Sequence, residues 1–357
     1  MTDNFIPTQE NKDLMAKALE LGLQGKHDEA EQLYINAGFE HPGRTFNLGW
    51  HAIRHGKLKE GFQMMDAGRF INCYGLPAIQ GKIWRNEPLQ DKVVTFRCEG
   101  GYGDQVMFLR FARDLQAMGA RVVVACAKEI APLFSLNGFT CIDNEFAHGI
   151  MHDYWIPAMS SAHMLDYEYP KLKEASLKPY LKAGTREIYV EDKSLLKVGI
   201  RWSGRPEFEH EQHRRFDPSK MFDLRHIPGV ALYALQRDDN TIDGLPFADM
   251  RPAMKTWVDT AEIVNSLDLV ITSCTSIAHL AGALGKEVWV IVPALPYYCW
   301  AIPGDKTDWY PTARLFRQKT YGNWDDPLNE IHAALEEKVK LQKPEILRIE
   351  NVAVLSD

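Results

Sequence analysis

Six cysteines among 357 residues are too few and too scattered to brace a chain of this length. They stand at positions 73, 98, 126, 141, 274 and 299 with no CxxC pair, so a disulfide frame and a zinc site find no support. The thiols read as small buried hydrophobes in a reducing compartment. Long apolar runs are missing as well. The longest, Glu287 to Trp300, is broken by two prolines and is shorter than the ~20 residues that span a bilayer. The opening MTDNFIPTQENK has no basic stretch followed by an apolar one, which argues against a secretory signal and for a soluble, cytoplasmic protein. Excess positive charge is also lacking. With 41 Lys+Arg against 48 Asp+Glu the net charge is −7, which argues against a general nucleic-acid coat and leaves room only for a local basic groove. Several motifs are absent too: there is no GxSxG elbow, no Walker loop and no thiol-enzyme spacing of Cys and His. The stretch EFEHEQHRR, Glu207 to Arg215, contains HEQH but not the HExxH that puts two zinc ligands on one helical face, so no metal is expected there.

What is present is an ordinary globular composition, 45% hydrophobic and 25% charged, at a length that suggests two to three domains. Residues 1 to 88 read as helical with a weak repeat. Leu14, Met15, Ala18, Leu19 and Leu21 fall at helical spacing, then a Gly25 turn leads to Ala30, Leu33, Tyr34 and Ala37. Leu48, Trp50 and Ile53 begin a second copy, turning at Gly56, 31 residues after Gly25, and continuing through Phe62 and Met65. This resembles two degenerate tetratricopeptide repeats; an ordinary helical cap is the plainer reading. From about residue 90 the pattern alternates. KVVTFR (92–97), a Gly-rich turn, an apolar-faced helix through Met118 and RVVVAC (121–126) make a βαβ unit with parallel strands. A second α/β block follows, with strands at VGIRW (198–202), ALYALQ (231–236), LDLVIT (267–272) and EVWVIV (287–292). Its helices fall at about Thr260–Ser266 and Thr275–Leu284, and a last helix runs Asp326–Leu341. The expected division is a helical region 1–88, Rossmann-like domains at 89–190 and 191–330 facing each other across a cleft, and a C-terminal helix and tail 331–357.

Three loops carry chemistry. In the first, Gly100-Gly101-Tyr102-Gly103-Asp104-Gln105, glycines after a strand bring backbone close to a ligand. The third glycine of a dinucleotide fingerprint is missing, and Glu129 is a poor match for its ribose-binding acid. Asp104 is either a helix-start residue or a general base that takes a proton from a hydroxyl nucleophile. In the second loop, Thr272-Ser273-Cys274-Thr275-Ser276, hydroxyls gather where a helix begins, an arrangement suited to a diphosphate. His279 lies one turn in on the face of Ser276, either as a ligand contact or as a satisfied buried histidine. The third loop, Arg201-Trp202-Ser203-Gly204-Arg205, with Arg214 and Arg215 downstream, offers guanidinium groups to phosphate oxygens.

Together GGYGDQVMFLRF, VGIRWSG, LYALQ and ITSCTSIAHLAGALGKEVWVIVP resemble the heptosyltransferase-like glycosyltransferases, above all bacterial and phage members with tetratricopeptide repeats ahead of the catalytic region. The resemblance runs from about Asn11 to Ala334 and is most specific in TSIAHLAGALG, PYYCWAIPG and WYPTARLFRQ. It implies a GT-B fold of two Rossmann-like domains, acceptor on the first, nucleotide-sugar donor mainly on the second, and no required metal or other cofactor. It makes Asp104 the base, presented by Gly103 and flanked by Gly101 and Gln105. It places Ser203 and Gly204 beside the donor phosphates, Gln236 near the nucleotide, and Thr275, Ser276 and His279 at the diphosphate and sugar. Cys274 stands where the family commonly has Asp, and a thiol cannot accept two sugar hydroxyls, which puts heptose itself in doubt. Arg201, Arg205, Arg214 and Arg215 are expected to gather at the donor phosphates against the sign of the whole chain. The implied function is metal-independent, inverting transfer of a sugar from a nucleotide-diphosphate sugar to a hydroxyl, most simply of a saccharide. A hydroxylated DNA base or protein side chain is the alternative acceptor, and a non-catalytic repeat protein with a decayed site is the alternative class.

Overall fold

The computed structural model describes residues 8–38, 40–74, 79–185, 195–208, 210–237 and 246–342. The chain forms two compact units, Met1–Lys182 with Ala294–Pro311, and Ala183–Pro293 with Thr312–Asp357. The segment 294–311, which pattern alone leaves inside 191–330, thus belongs to the first unit. The expected boundary at 190/191 lies outside the described residues.

The first unit opens with α1 (Gln9–Leu23), α2 (His27–Asn36), α3 (Pro42–Arg54) and α4 (Leu58–Met65). Thr8 caps α1 by accepting the Asn11 N–H at 3.2 Å. Gly25 and Gly56 end their helices at φ +79° and +81°, where a side chain would be strained, so the two turns repeat in conformation as well as in sequence. At the α3–α4 contact a Cβ on Gly61 would stand 2.4 Å from Ile53 Cγ1 and 2.7 Å from the Gly49 carbonyl, so only glycine permits this approach. The helical region is shorter than 1–88. The last helical turn ends at Ile71, and the Trp84 N–H donates to the Trp155 carbonyl while Ile83 bridges Trp155. Two β-type aromatic and branched residues there find backbone partners on a sheet edge, which outweighs helical propensity.

The sheet of this unit consists of β1 (Val93–Arg97), β2 (Arg121–Cys126), β3 (Thr140–Asp143) and β4 (Tyr154–Pro157), all parallel in the order β3-β2-β1-β4. α5 (Tyr102–Ala117) joins β1 to β2, as the βαβ reading expects; α6 (Ala131–Leu136), α7 (Ser161–Met164) and α8 (Tyr169–Ala175) are shorter. Phe62 of α4, Phe108 and Phe111 of α5, and Tyr298 and Trp309 of the returning segment form a buried aromatic cluster. This apolar mass explains why the helices, the sheet and residues 294–311 form one body.

The second unit is built on β5 (Leu196–Arg201), β6 (Val230–Ala234), β7 (Ala248–Asp249), β8 (Leu269–Ser273), β9 (Val288–Val292) and β10 (Ala313–Arg317). They form a parallel sheet in the order β10-β9-β8-β5-β6-β7. α9 (Trp257–Ser266) starts earlier than its apolar spacing indicates because Thr256 and Asp259 form a reciprocal cap. α10 (Ser276–Ala283) and α11 (Asp325–Gln342) match the expected helices closely. Strands β3, β7 and β10 escape the sequence reading. Each stands at or near a sheet edge, and β3 and β7 lack the buried apolar run that marks central parallel strands. Among the described residues no helix is long and apolar enough to cross a membrane.

Candidate functional site

In the first unit the site forms where β1 hands over to α5. Gly100 sits at φ +68°, and a Cβ there would meet Asp104 Oδ2 at 2.5 Å. The missing side chain lets the Asp104 carboxylate fold back and accept the Gly101 N–H through Oδ2 at 2.9 Å, capping α5. Oδ1 accepts two further hydrogen bonds, from the Tyr297 hydroxyl at 2.8 Å and the Tyr298 hydroxyl at 2.7 Å. Burial first, and the Asp104 charge second, push both phenols well above their usual range, so both remain donors at any ordinary pH. These three donors orient the carboxylate.

The loop is rigid on its other sides. Gln105 is buried and spends its amide on the loop itself, donating to the Gly100 carbonyl at 3.4 Å and accepting the Ala127 N–H at 3.0 Å. It builds the turn from inside. Gly101 is the cap residue of α5 and Gly103 lies in its first turn. Glu99 accepts the Met159 N–H at 3.0 Å and the Arg69 guanidinium at 2.8 Å. Burial raises its carboxyl above the usual range, with Arg69 pulling the other way. Asp66 is held below the usual range although burial opposes its charge, because His163 Nε2 lies 2.8 Å away and Arg69 and Ser160 also contact it.

The sequence reading misses the tyrosine pair. Its only signal is the doubled tyrosine in PYYCW; the partners lie 193 and 194 residues from Asp104. The pair is itself anchored, since Trp50 Nε1 donates to the Pro296 carbonyl at 3.0 Å and His27 Nε2 lies 3.0 Å from the Ala294 carbonyl. Tyr298→Phe is expected to lower the unfolding free energy by about 1.5–3 kcal/mol, the range for a hydrogen bond to a charged group. Urea unfolding followed by circular dichroism measures this; a change within error would mean the hydroxyl contributes nothing to Asp104.

In the second unit the ends of β5, β6 and β8 carry the other candidates. Ser203 and Gln236 pair reciprocally. The Ser203 N–H donates to Gln236 Oε1 at 3.2 Å, and Gln236 Nε2 donates to Ser203 Oγ at 2.9 Å. Both are buried, so within this unit Gln236 serves to fix the loop after β5. The Gly204 N–H donates to Glu211, whose carboxylate also binds Arg214 Nε at 2.6 Å. Arg214 Nη1 then donates to the Cys274 carbonyl at 2.6 Å, tying this loop to the start of α10.

The four arginines do not share one arrangement. Arg201 is buried and donates to the Leu235 carbonyl at 3.0 Å, Arg205 is exposed beside Glu207, and Arg215 is exposed. Arg214 binds the Cys274 carbonyl in the segment that opens α10. Arg201 donates into the strand frame, where its guanidinium satisfies a buried carbonyl.

Thr275 occupies the N-cap position of α10 in extended backbone, and no side chain caps the helix. Its hydroxyl lies 3.1 Å from that of Thr272, which donates to the Ser273 carbonyl at 2.8 Å. The Ser273 hydroxyl is buried and has no hydrogen-bond partner among the described residues. Ser276 is half-buried, while Cys274, Thr275 and His279 are buried, His279 at 4% exposure. Among the described residues no three His, Cys, Asp or Glu side chains converge as a metal site would require.

No protein-family model matches the chain. A curated relative, the protein FlbA of Caulobacter vibrioides, is 25% identical over 326 residues, covering 79% of this chain and 53% of FlbA. The chain thus spans about half the length of that relative. Among solved structures, the iron-containing dodecameric glycosyltransferase TibC of enterotoxigenic E. coli aligns at 14% identity and a TM-score of 0.45, over 68% of this chain and 67% of TibC. The family 9 glycosyl transferase of Veillonella parvula aligns at 9% identity and 0.48, over 73% and 100%. The E. coli heptosyltransferase WaaC, solved with ADP, aligns at 12% and 0.46, over 69% and 99%.

Proposed function

We propose that the chain transfers a sugar from a nucleotide-diphosphate sugar to an acceptor hydroxyl, with Asp104 as the base. The observation that supports this reading is the setting of Asp104, a carboxylate at a strand-to-helix turn oriented by two phenols and a backbone N–H. As the acceptor oxygen bonds to the anomeric carbon, its proton passes to Asp104. The bond from that carbon to the diphosphate breaks and its electron pair leaves with the nucleotide, so attack from the opposite face inverts the centre. The start of α10 supplies N–H groups and helix dipole to the leaving group, with the Thr275 and Ser276 hydroxyls and the unpartnered Ser273 hydroxyl beside them. In this reading the two α/β units are the halves of a GT-B enzyme, the helices α1–α4 are two tetratricopeptide-type pairs, and a saccharide is the acceptor. The alternative is a decayed site. Cys274 in place of a carboxylate favours it, whereas the three donors that orient Asp104 favour the active reading.

The test is thermal denaturation of the full chain with ADP, UDP, GDP, CDP and dTDP and their sugar conjugates. One nucleotide is expected to raise Tm, since a ligand at a hundred times its Kd adds about 2.7 kcal/mol. Thr275→Val is expected to abolish that shift. Stabilisation by none of them would overturn the proposal and favour the non-catalytic reading.

A further inference from the structure

A cavity of about 450 Å³ opens in the first unit beside the C-terminal half of α5, away from Asp104. Four cations line it, Arg110, Arg113, Lys178 and Lys182, against the single carboxylate of Asp114. At 1.5 Å per residue Arg110 and Arg113 stand roughly 9 and 14 Å along the helix axis from Asp104, so the cavity is separate from the proposed base.

The wall carries more positive than negative charge, and Asp114 offsets only part of it. Arg110 is 7% exposed, yet its N–H groups all go to uncharged acceptors. Nε donates to the Met107 carbonyl at 3.1 Å and Nη1 to Ser176 Oγ at 2.8 Å; both terminal nitrogens reach the Trp309 carbonyl at 3.0 Å, and Nη2 reaches the Tyr180 hydroxyl at 3.4 Å. Aromatic faces of Tyr180, Tyr310 and Trp309 lie 4.7, 5.0 and 5.2 Å from the guanidinium carbon. Arg113 donates to Gln116 Oε1 at 3.3 Å and to the Asn137 carbonyl. The Asp114 carboxylate accepts the Tyr167 hydroxyl at 2.6 Å. A buried guanidinium without a carboxylate in contact is costly, and rings offset only part of that cost.

The wall is also rigid. Asn137 Oδ1 accepts the Lys182 N–H at 2.7 Å and its amide donates back to the Lys182 carbonyl at 3.0 Å, fixing the strand of chain that carries this lysine. The volume lies within the ~300–1,000 Å³ typical of small-molecule sites, and aromatic walls with a cationic floor suit a ring bearing an oxyanion.

We propose that this cavity binds a small organic oxyanion, specifically a phosphorylated or carboxylated sugar. The inference does not depend on the transfer reading: a chain that binds the anion and transfers nothing would fail only the latter.

Isothermal titration calorimetry of the full chain at low salt with glucose 6-phosphate, glucuronate and glucose tests it. At least one of the two anions is expected to bind and neutral glucose is not; the tighter of the two tells a phosphate monoester site from a carboxylate site. The double variant Lys178→Gln with Lys182→Gln changes exposed residues only and is expected to weaken binding at least tenfold, as is 0.5 M NaCl on the unaltered chain. Thr275→Val is expected to leave it unchanged. Binding of neither anion, equal binding of glucose, affinity unaltered in the lysine variant, or loss of binding in Thr275→Val would overturn the proposal.

Discussion

Asp104→Asn is expected to reduce sugar transfer by about a hundred- to ten-thousand-fold, the usual worth of a positioned general base. The substitution is nearly isosteric, and its effect follows from what the carboxylate does in the structure. Oδ2 receives the Gly101 N–H and Oδ1 receives two phenols. An asparagine can keep the α5 cap with its amide oxygen toward Gly101. Its NH2 group then faces Tyr297 and Tyr298, whose hydroxyls must turn and accept where they donated. The turn therefore survives at a cost of about 1–2 kcal/mol, while the group that accepts the acceptor's proton is gone. Transfer is followed by release of the nucleotide from the donor that the thermal screen identifies, and donor affinity is measured separately by calorimetry. Donor binding is expected to persist, because the α10 start is untouched. Turnover close to that of the unaltered chain would remove Asp104 from the chemistry and leave it as a helix cap.

The second large effect concerns stability. Phe62→Ala is expected to lower the unfolding free energy by about 3–5 kcal/mol, the range for deleting a buried phenylalanine. Phe62 has no exposed surface and meets the rings of Phe108 at 5.6 Å, Tyr298 at 5.4 Å and Trp309 at 6.0 Å, mostly edge to face. Two separate stretches, α5 and residues 294–311, converge on it, and the second cannot collapse into the vacated volume without straining its hydrogen bonds. Tyr298 is tied to Asp104, and the Trp309 carbonyl to Arg110. Against a typical total of about 5–15 kcal/mol such a loss is large. Guanidinium unfolding measures it, and Phe62→Leu is expected to lose clearly less. A cost below about 1 kcal/mol for the alanine variant would mean that α4 does not bind the helical region to the sheet.

The central strands were legible because a parallel strand buried on both faces is a continuous apolar run; VVTFR, RVVVAC and VWVIV announce themselves in this way. The starts of α5 and α10 were legible because glycines, an aspartate and clustered hydroxyls act over three or four residues. TCID, Ala248–Asp249 and ARLFR offered no such run, and the Asp259 cap moved the start of α9 beyond its apolar spacing.

At the candidate site the same division holds. That Asp104 stands at a strand-to-helix turn follows from Gly100 to Asp104 alone. That two tyrosines hold it does not, since no local pattern relates residues 193 positions apart. The arginines make the point from the other side: proximity in sequence grouped Arg201, Arg205, Arg214 and Arg215, and the fold buries Arg201 against the Leu235 carbonyl, ties Arg214 to Glu211 and leaves Arg205 and Arg215 exposed. By itself the amino-acid sequence determined the α/β class, the repeated helical turns and the places where chain could meet ligand, because periodicity and turn chemistry are short-range. Only the tertiary structure decided that residues 294–311 join the first unit, which groups surround Asp104, and that four cations wall a cavity. Those depend on packing between distant segments, where buried polar groups take whichever partner the fold brings within reach.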